Sequence, residues 1–532
     1  MTSILFVLDS EVISALEPGT IAISPSKDSW NDFGFRIRVD IAFCIRPGTG
    51  GQLLVSGFFG FVQSADREYD VRLLEKLLKG APDNRLLVSD IPKFFTMLPD
   101  IRTYREVVSF LGPKEAADAL VAINDVVAAD EGLVGSTSLR AAKETAVFKQ
   151  AFLRSSEAFF AWANAGPILR GLEYEEFGQI SGDFNIHFQL DGRPNEHELS
   201  FRFDIKDDIL PKRFVVLIGK NGVGKSQALG SIARAALEGG QEMTDARGGR
   251  PSLNRLLAFS PTSTSSTVFP TERRRSSRVW YRRFALANLG GMRVRHTTSE
   301  LIMQLARSDE QIRANKRFNL FINAIRAIDD WRELGLRTAN LSEPDVLLED
   351  LQSGGEQARI MRFGSIDLRR EPVRVINGRP FPLSSGEHSF LRFAAIASLH
   401  IENGTLVLLD EPETHLHPNF ISQFVAVLNN LLEQTGSVAI IATHSVYFVR
   451  EAFEDQVIVL RSEVDRTIRV ERPTLKTFGA DVGAISYFVF GEDEPSRLAK
   501  QVEDRVANGS LSWSEIFENY KDVSGISAHG TV

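Results

Sequence analysis

The sequence predicts an α/β protein, and three apolar runs carry the prediction. Phe214-Val-Val-Leu-Ile218, Leu406-Val-Leu-Leu409 and Val438-Ala-Ile-Ile-Ala442 are continuous, as in strands covered on both faces. Segments with apolar residues at helical spacing lie between them, which gives a βαβ framework. The chain has 532 residues, room for two to four domains of roughly 100–200 residues each. Hydrophobic residues at 43% and charged residues at 24% exclude a largely disordered or collagen-like chain. Lys and Arg number 61 against 69 Asp and Glu, a net charge of −8. The surface as a whole is therefore not built to coat nucleic acid or an anionic membrane, and any such contact must be local. Cys44 is the single cysteine, which excludes an intramolecular disulfide framework and suits a reducing cytosol. The start, Met1-Thr-Ser-Ile-Leu-Phe-Val-Leu-Asp9, has no cationic region and only a short apolar run, so it reads as a strand and not a signal peptide. No stretch approaches the ~20 apolar residues of a membrane helix. The expectation is a soluble, cytoplasmic protein without a membrane partner.

In chain order, residues 1–175 read as an accessory α/β domain without an assignable motif. Residues 35–45 and 53–62 are rich in β-branched and aromatic side chains, as strands are. Residues 71–78, 114–129 and 139–163 carry helical periodicity. Gly166-Pro167 and Gly171 then punctuate the chain. A packing or oligomerisation role fits this part as well as a sensing one. Residues 184–190 and 199–205 alternate apolar and polar side chains around Pro194-Asn195, which predicts two adjacent antiparallel strands. These open a head domain over 176–490, with an arginine-rich and helical insertion at about 240–380 and a tail at 491–532. Neither internal repeats nor sustained heptads are present.

The chemistry sits at the strand ends. Gly219-Lys-Asn-Gly-Val-Gly-Lys225-Ser226 fits G-x-x-x-x-G-K-[ST] between the strand at 214–218 and a helical run at 227–237. The glycines let backbone N–H groups curl around phosphate oxygens, and the helix N-terminus adds positive potential. Lys225 reaches the β- and γ-phosphates, and the Ser226 hydroxyl can ligate Mg²⁺. A Gly-rich turn with a surface lysine is the bland alternative, and the strand–loop–helix context argues against it. Leu406–409 delivers Asp410 and Glu411 to a strand's C-terminal end, where α/β sheets place ligands. There Asp410 would hold Mg²⁺, and Glu411 would be the base that polarises an attacking water. Leu383-Ser-Ser-Gly-Glu387 opens a helical run at 388–400 and forms an anion site. Thr443-His444-Ser445 follows the third buried strand, where a histidine can donate to a γ-phosphate.

The set Gly219–Ser226, Leu383–Glu387, Asp410-Glu-Pro-Glu-Thr-His-Leu-His-Pro418 and Thr443-His444 resembles the head domains of ABC-type ATPases. The branch it resembles is that of RecF, Rad50, SMC and OLD-like proteins, in particular the compact AAA-type ATPases of phage-defence systems such as Septu (PtuA). The likeness covers roughly 180–490. It implies a P-loop NTPase head with a mixed sheet, an antiparallel β-subdomain and a helical insertion, using ATP and Mg²⁺. It also implies a homodimer with ATP shared between subunits. One subunit would contribute Gly219, Asn221, Gly222, Gly224, Lys225, Ser226 and Gln227, and the other Ser384, Ser385, Gly386 and Glu387 in trans. Glu411 would act as the base, His444 as the γ-phosphate sensor, and Ser226 and Asp410 as the Mg²⁺ ligands. The output implied is control of a separate effector protein, a nuclease, in anti-phage defence. The alternative is a RecF- or Rad50-like DNA-binding repair or recombination ATPase without an effector; a transporter's ATPase subunit is a third class, disfavoured by the N-terminal domain. The sequence departs from the family at Ser385-Gly386 in place of Gly-Gly, at Glu387 in place of Gln, and at His417 in place of the transporter-type Asp. The glutamine that should couple ATP to a partner element is not found after residues 256–260.

Four other patterns compete for attention. Leu351-Gln-Ser-Gly-Gly-Glu-Gln357 resembles the signature by letters, but 383–387 is preferred because one helix joins it directly to the strand at 406. Residues 271–300 hold eight arginines and two acids, and Arg273, Arg274, Arg275, Arg278, Arg282 and Arg283 with Trp280 and Tyr281 could hold nucleic acid. A solvated insertion whose arginines pair elsewhere is the plain alternative. His415 and His417 with nearby Glu413 could suggest a metal site, but the two histidines are read as inter-subunit contacts and not as zinc ligands. Val489-Phe-Gly-Glu492-Asp493 resembles the acidic start of a Toprim nuclease, but no Asp-x-Asp follows it. No intrinsic nuclease is therefore expected.

Overall fold

Aromatic crowding organises the N-terminal third. The computed structural model describes residues 3–8, 17–27, 34–44, 52–62, 69–130, 137–170, 183–203, 212–261, 268–272, 278–286, 296–312, 315–340, 342–414 and 416–490. Six strands, β1 (Ser3–Val7), β2 (Thr20–Pro25), β3 (Arg38–Cys44), β4 (Leu53–Phe61), β5 (Arg85–Leu87) and β6 (Phe94–Met97), form one sheet in the order β5-β1-β2-β3-β4-β6. Only the β1–β2 pair is parallel. Phe6, Phe59, Phe61 and Phe94 pack edge-to-face and stacked within it, with ring centroids 5.0–6.0 Å apart, geometry that adds to plain area burial. Helices α1 (Val71–Lys79), α2 (Ile101–Leu111), α3 (Pro113–Ala122), α4 (Val126–Asp130), α5 (Thr137–Glu144), α6 (Ser156–Asn164) and α7 (Gly166–Leu169) complete the domain.

Two helical stretches expected to be continuous are broken. The 114–129 stretch stops at Ile123, Asn124 takes φ 56°, and Asp125 caps α4 by accepting from the N–H groups of Val127 and Ala128. The 139–163 stretch divides into α5, a π turn (Val147–Phe152) and α6. Thr145 and Ser155 accept backbone N–H groups at the two breaks, as such residues do where a helix starts anew.

In the head, seven strands order as β12-β11-β19-β20-β9-β21-β22. They are β9 (Phe214–Gly219), β11 (Arg255–Ser260), β12 (Trp280–Ala285), β19 (Thr405–Asp410), β20 (Val438–Thr443), β21 (Val457–Ser462) and β22 (Ile468–Glu471). All pair in parallel except β21 with β22. Alternate β9 side chains enter different cores: Val216 and Ile218 face one, Val215 and Leu217 the other. The first core is covered by α9 (Thr298–Arg307), α10 (Arg317–Ile325), α12 (Ser385–His400) and α13 (Pro418–Thr435), with α14 (Val446–Arg450) and α15 (Val482–Phe490) beside them. The second is covered by α8 (Lys225–Glu238) and an antiparallel sheet of β7 (Asp183–Gln189), β8 (Glu196–Arg202) and β10 (Met243–Asp245). The expected β7–β8 pairing is present, with Phe184 opposite Phe201. A hairpin of β13 (Gln311–Ile312) and β14 (Asn315–Lys316) precedes α10. A small sheet of β15 (Leu334–Leu336), β16 (Val346–Leu347), β17 (Val373–Ile376) and β18 (Arg379–Pro382) surrounds α11 (Glu356–Ser365) in sequence.

The insertion expected at 240–380 therefore needs correcting, because β11 and β12 belong to the main sheet itself. The arginines of β12 disguised it: Arg282 is exposed and Arg283 half-buried on an edge strand, where such side chains reach solvent. The N-terminal domain docks at the strand N-termini. Glu402 is buried just before β19 and meets Arg105 of α2 at 2.9 Å and Arg317 of α10 at 3.3 Å. Burial opposes its charge, but Arg105, Arg317 and Arg255 hold it down to about 2.

Candidate nucleotide site

The strand C-termini at the other end of the sheet gather the motif residues. β9 ends at Gly219 and α8 begins at Lys225. A Cβ at Gly219 would lie 2.4 Å from the Leu460 carbonyl oxygen, and one at Gly224, where φ is +102°, 2.7 Å from Leu190 Cδ1. Only glycine fits either place. Gly224 is also the N-cap of α8 and offers no side-chain acceptor, so the first-turn N–H groups are left for an anion. Arg193, in the β7–β8 turn, donates to the Gly222 carbonyl at 2.6 Å and to Ser462 Oγ and the Arg466 carbonyl at 3.2 Å. The antiparallel sheet thus braces the loop.

Lys225 is 4% exposed, and its Nζ donates to the carbonyls of Gly219 and Lys220. Burial lowers its pKa, while Glu411, Glu413 and Asp410 act against that. The Ser226 hydroxyl donates to Asp410 Oδ1 at 2.8 Å. Asp410 is pushed up to about 6, chiefly by burial and also by Glu411 and Glu413, with Ser226 and Lys225 pulling the other way. A buried carboxylate beside a hydroxyl and two further carboxylates is short of positive charge. The hard-oxygen set of Ser226 and Asp410 fits Mg²⁺. Glu411 takes a left-handed backbone, φ 43°, with its N–H on the Ala442 carbonyl. A non-glycine residue in that region is strained, as residues at functional sites often are.

Strand order explains how the set converges. β20 lies between β9 and β19, so His444, just after β20, sits between the loop and the carboxylates. Asn221, Gly222, Gly224, Lys225, Ser226, Gln227, Glu411 and His444 line one cleft of about 300 Å³. Sequence reasoning missed three supports: Leu190, Arg193 and Glu413, which accepts from Thr443 and His444. Their partners are about 30 or more residues away, so spacing gave no signal.

Ser384, Ser385, Gly386 and Glu387 are absent from this cleft's lining. Ser384 caps α12, accepting from the Glu387 N–H at 3.3 Å, while Glu387 Oε2 accepts from Ser384 N and Oγ at 2.8 and 2.7 Å, a capping box. Glu387 Oε1 accepts from Arg374. α12 runs through 401–404 into β19, whereas α11, which follows 351–355, leads to β17 and buries no residue.

Of the six arginines singled out, Arg273, Arg274 and Arg275 lie outside the described residues. Arg278 donates to the Gly239 carbonyl and Arg283 to the Phe269 carbonyl, so these two are engaged within the chain. Exposed Arg282 packs over Trp280 at 5.7 Å. His415 lies outside the described residues, and His417 caps α13 through the Asn419 N–H. No group of three metal-ligating side chains occurs among the described residues. Glu492, Asp493 and the 491–532 tail also lie outside them. No described helix is long and apolar enough to cross a membrane.

Residues 314–450 match the family described as "AAA domain, putative AbiEii toxin, Type IV TA system", and the chain carries an AAA-type ATPase domain. Protein ea59 of Escherichia phage lambda is 22% identical over 94% of this chain and 92% of its own length. The UvrABC system protein A of Chlamydia muridarum (strain MoPn / Nigg) is 41% identical over 76 residues, 14% of this chain and 4% of that protein. Among solved structures, UvrA2 from Deinococcus radiodurans aligns with 14% identity and a TM-score of 0.27, covering 57% of this chain and 39% of that one.

Proposed function

We propose that the protein is an ATP-hydrolysing switch: two copies close over bound ATP, and the closed state controls a separate effector protein, a nuclease, in defence against phage. The observation that carries the enzymatic part is the cleft in which Lys225, Ser226, Glu411 and His444 converge beside Asp410. In this reading the α8 N-terminus and Lys225 hold the β- and γ-phosphates, and Ser226 and Asp410 hold Mg²⁺. When bound, that ion neutralises charge building on the phosphate oxygens. Glu411 takes a proton from water as its oxygen attacks the γ-phosphorus, and the bond to the ADP oxygen breaks. His444 faces the transferred phosphate.

The dimer is supported by the placement of the Ser384 helix start, which has anion-binding character and does not line its own chain's cleft. Head-to-tail pairing would bring it to the other chain's γ-phosphate. The effector role is supported by the motif resemblance and by the toxin–antitoxin wording attached to the matched family. Turnover measurements and light scattering test this together. Glu411→Gln should bind ATP, hydrolyse it slowly and accumulate as a dimer; a monomer at saturating ATP would refute the shared site. Ser384→Arg should keep ATP binding and lose turnover. Purification with the neighbouring genes should bring down the effector.

Nucleic-acid binding without an effector is the second reading, favoured by the arginine content of 271–300. Salt-sensitive DNA binding lost on changing Arg273–275 would promote it.

A further inference from the structure

We propose that Glu413 is a positioning residue for the hydrolytic step: it fixes the orientation and tautomer of His444, and so which ring nitrogen faces the nucleotide. The proposal rests on the nucleotide reading above and adds a residue to it. Glu413 lies three residues after Asp410, in a turn where Thr414 N donates to the Glu411 carbonyl and Leu416 N to that of Glu413. The residue is 8% exposed. One oxygen, Oε1, accepts from Thr443 Oγ1 at 2.6 Å and from the His444 N–H at 2.9 Å, across the site, and His444 Nδ1 lies 3.1 Å from the same oxygen. The second oxygen, Oε2, is buried without a hydrogen-bond partner among the described residues.

This is a costly way to hold a turn. A buried anion loses its hydration, and a neutral acceptor could take the same backbone N–H. A carboxylate differs in being acceptor-only at both oxygens. With Nδ1 3.1 Å from that oxygen, the arrangement favours the tautomer that carries its proton on Nδ1, which would leave Nε2 for the cleft that His444 lines. The same contact separates two functions. Glu411 Oε1 is 3.8 Å from Nδ1, beyond hydrogen-bond length, so His444 leaves the proposed base free to engage water. Glu413 thus connects the turn after β19 to the turn after β20, and a shift in either is felt by the ring that faces the phosphate.

The test is ATP turnover by the full chain carrying Glu413→Gln, alone and combined with His444→Ala. Glutamine keeps the size and an acceptor but can present its amide to Nδ1. The expected result is a kcat reduced roughly 10- to 100-fold, KM and nucleotide affinity within about twofold, and no further loss when Glu413→Gln is added to His444→Ala. Wild-type turnover by Glu413→Gln beside an impaired His444→Ala would overturn the role of Glu413 alone. Wild-type turnover by His444→Ala would overturn both this inference and the sensor reading beneath it. Losses that multiply in the double variant would make Glu413 a general structural residue and reject the proposal. Should Glu413→Gln fail to fold by thermal melt, Glu413→Asp, which withdraws the carboxylate by one methylene, is read in the same way and against the same outcomes.

Discussion

Asp410 in the head and Asp125 in the N-terminal domain are both buried carboxylates raised far above the ordinary range, to about 6 and about 7. Burial is the main cause in each. Their surroundings differ. Asp125 accepts from Val127 N, Ala128 N and the Tyr104 hydroxyl, all within its own domain, and it closes a helix start. Asp410 accepts from Ser226 alone among the hydrogen bonds found, with Glu411 and Glu413 adding negative charge beside a cleft. A perturbed acid marks a binding site only where its lone pairs are left over and the space beside it is open.

Replacing the two acids separates them most sharply. Asp410→Asn should lower Mg²⁺-dependent ATP turnover by roughly 100- to 10,000-fold, whereas Asp125→Asn should leave kcat within about twofold. Equal losses would mean that Asp125 reaches the reaction through the domain contact at Glu402. Lys225→Ala comes next. Removing one charged donor from the phosphates costs about 2–3 kcal/mol, ~30- to 150-fold in affinity, read by equilibrium dialysis with ATP. Unchanged affinity would contradict the loop assignment.

A smaller effect is expected at Arg374. Glu387 stands at a helix start proposed to meet triphosphate, and Arg374 holds its charge together with Ser384. Arg374→Ala should slow turnover by roughly 10-fold, and adding Glu387→Gln should restore it, because the exposed anion is then gone. Failure of the second change to rescue would show that Arg374 serves the β17 edge alone, where it also meets Glu333 at 3.0 Å.

What the sequence disclosed follows the same division. Gly219–Ser226, Asp410-Glu411 and His444, which the strand ends bring together around one cleft, were legible because the phosphate chemistry proposed for them would impose fixed residue types at fixed distances from strand ends. Glu413 was visible only as part of a histidine-rich turn, since its partners Thr443 and His444 are 30 and 31 residues away. In the N-terminal domain, β3, β4 and α1 showed through their composition. β2, β5 and β6 did not: short strands within an aromatic core carry little periodicity, and their pairing is decided by neighbours far along the chain. The break at Asn124 is a tertiary effect, since Asp125 needs Tyr104 to be satisfied there. β12 was hidden because edge strands tolerate arginines that a central strand would not.

The least conspicuous expectation concerns stability alone, and it isolates Asp125. The unfolded chain releases this proton near the ordinary 3.8, while the folded chain holds it to about 7. Folding therefore favours the protonated form. The contribution of this group to stability is greatest at low pH, declines as pH rises through the interval from about 4 to about 7, and is level above that. Between pH 5 and 7.5 the decline amounts to about 2 to 3 kcal/mol at one such site. Asparagine keeps an acceptor for the Val127 and Ala128 N–H groups but has no proton to lose. Asp125→Asn should therefore be less stable than the wild type near pH 5 by more than it is near pH 7.5, read as denaturation midpoints of both proteins across the interval. A difference that stays constant with pH would mean that Asp125 is charged in the folded chain throughout, held so by its three donors, and the likeness to Asp410 would then fail.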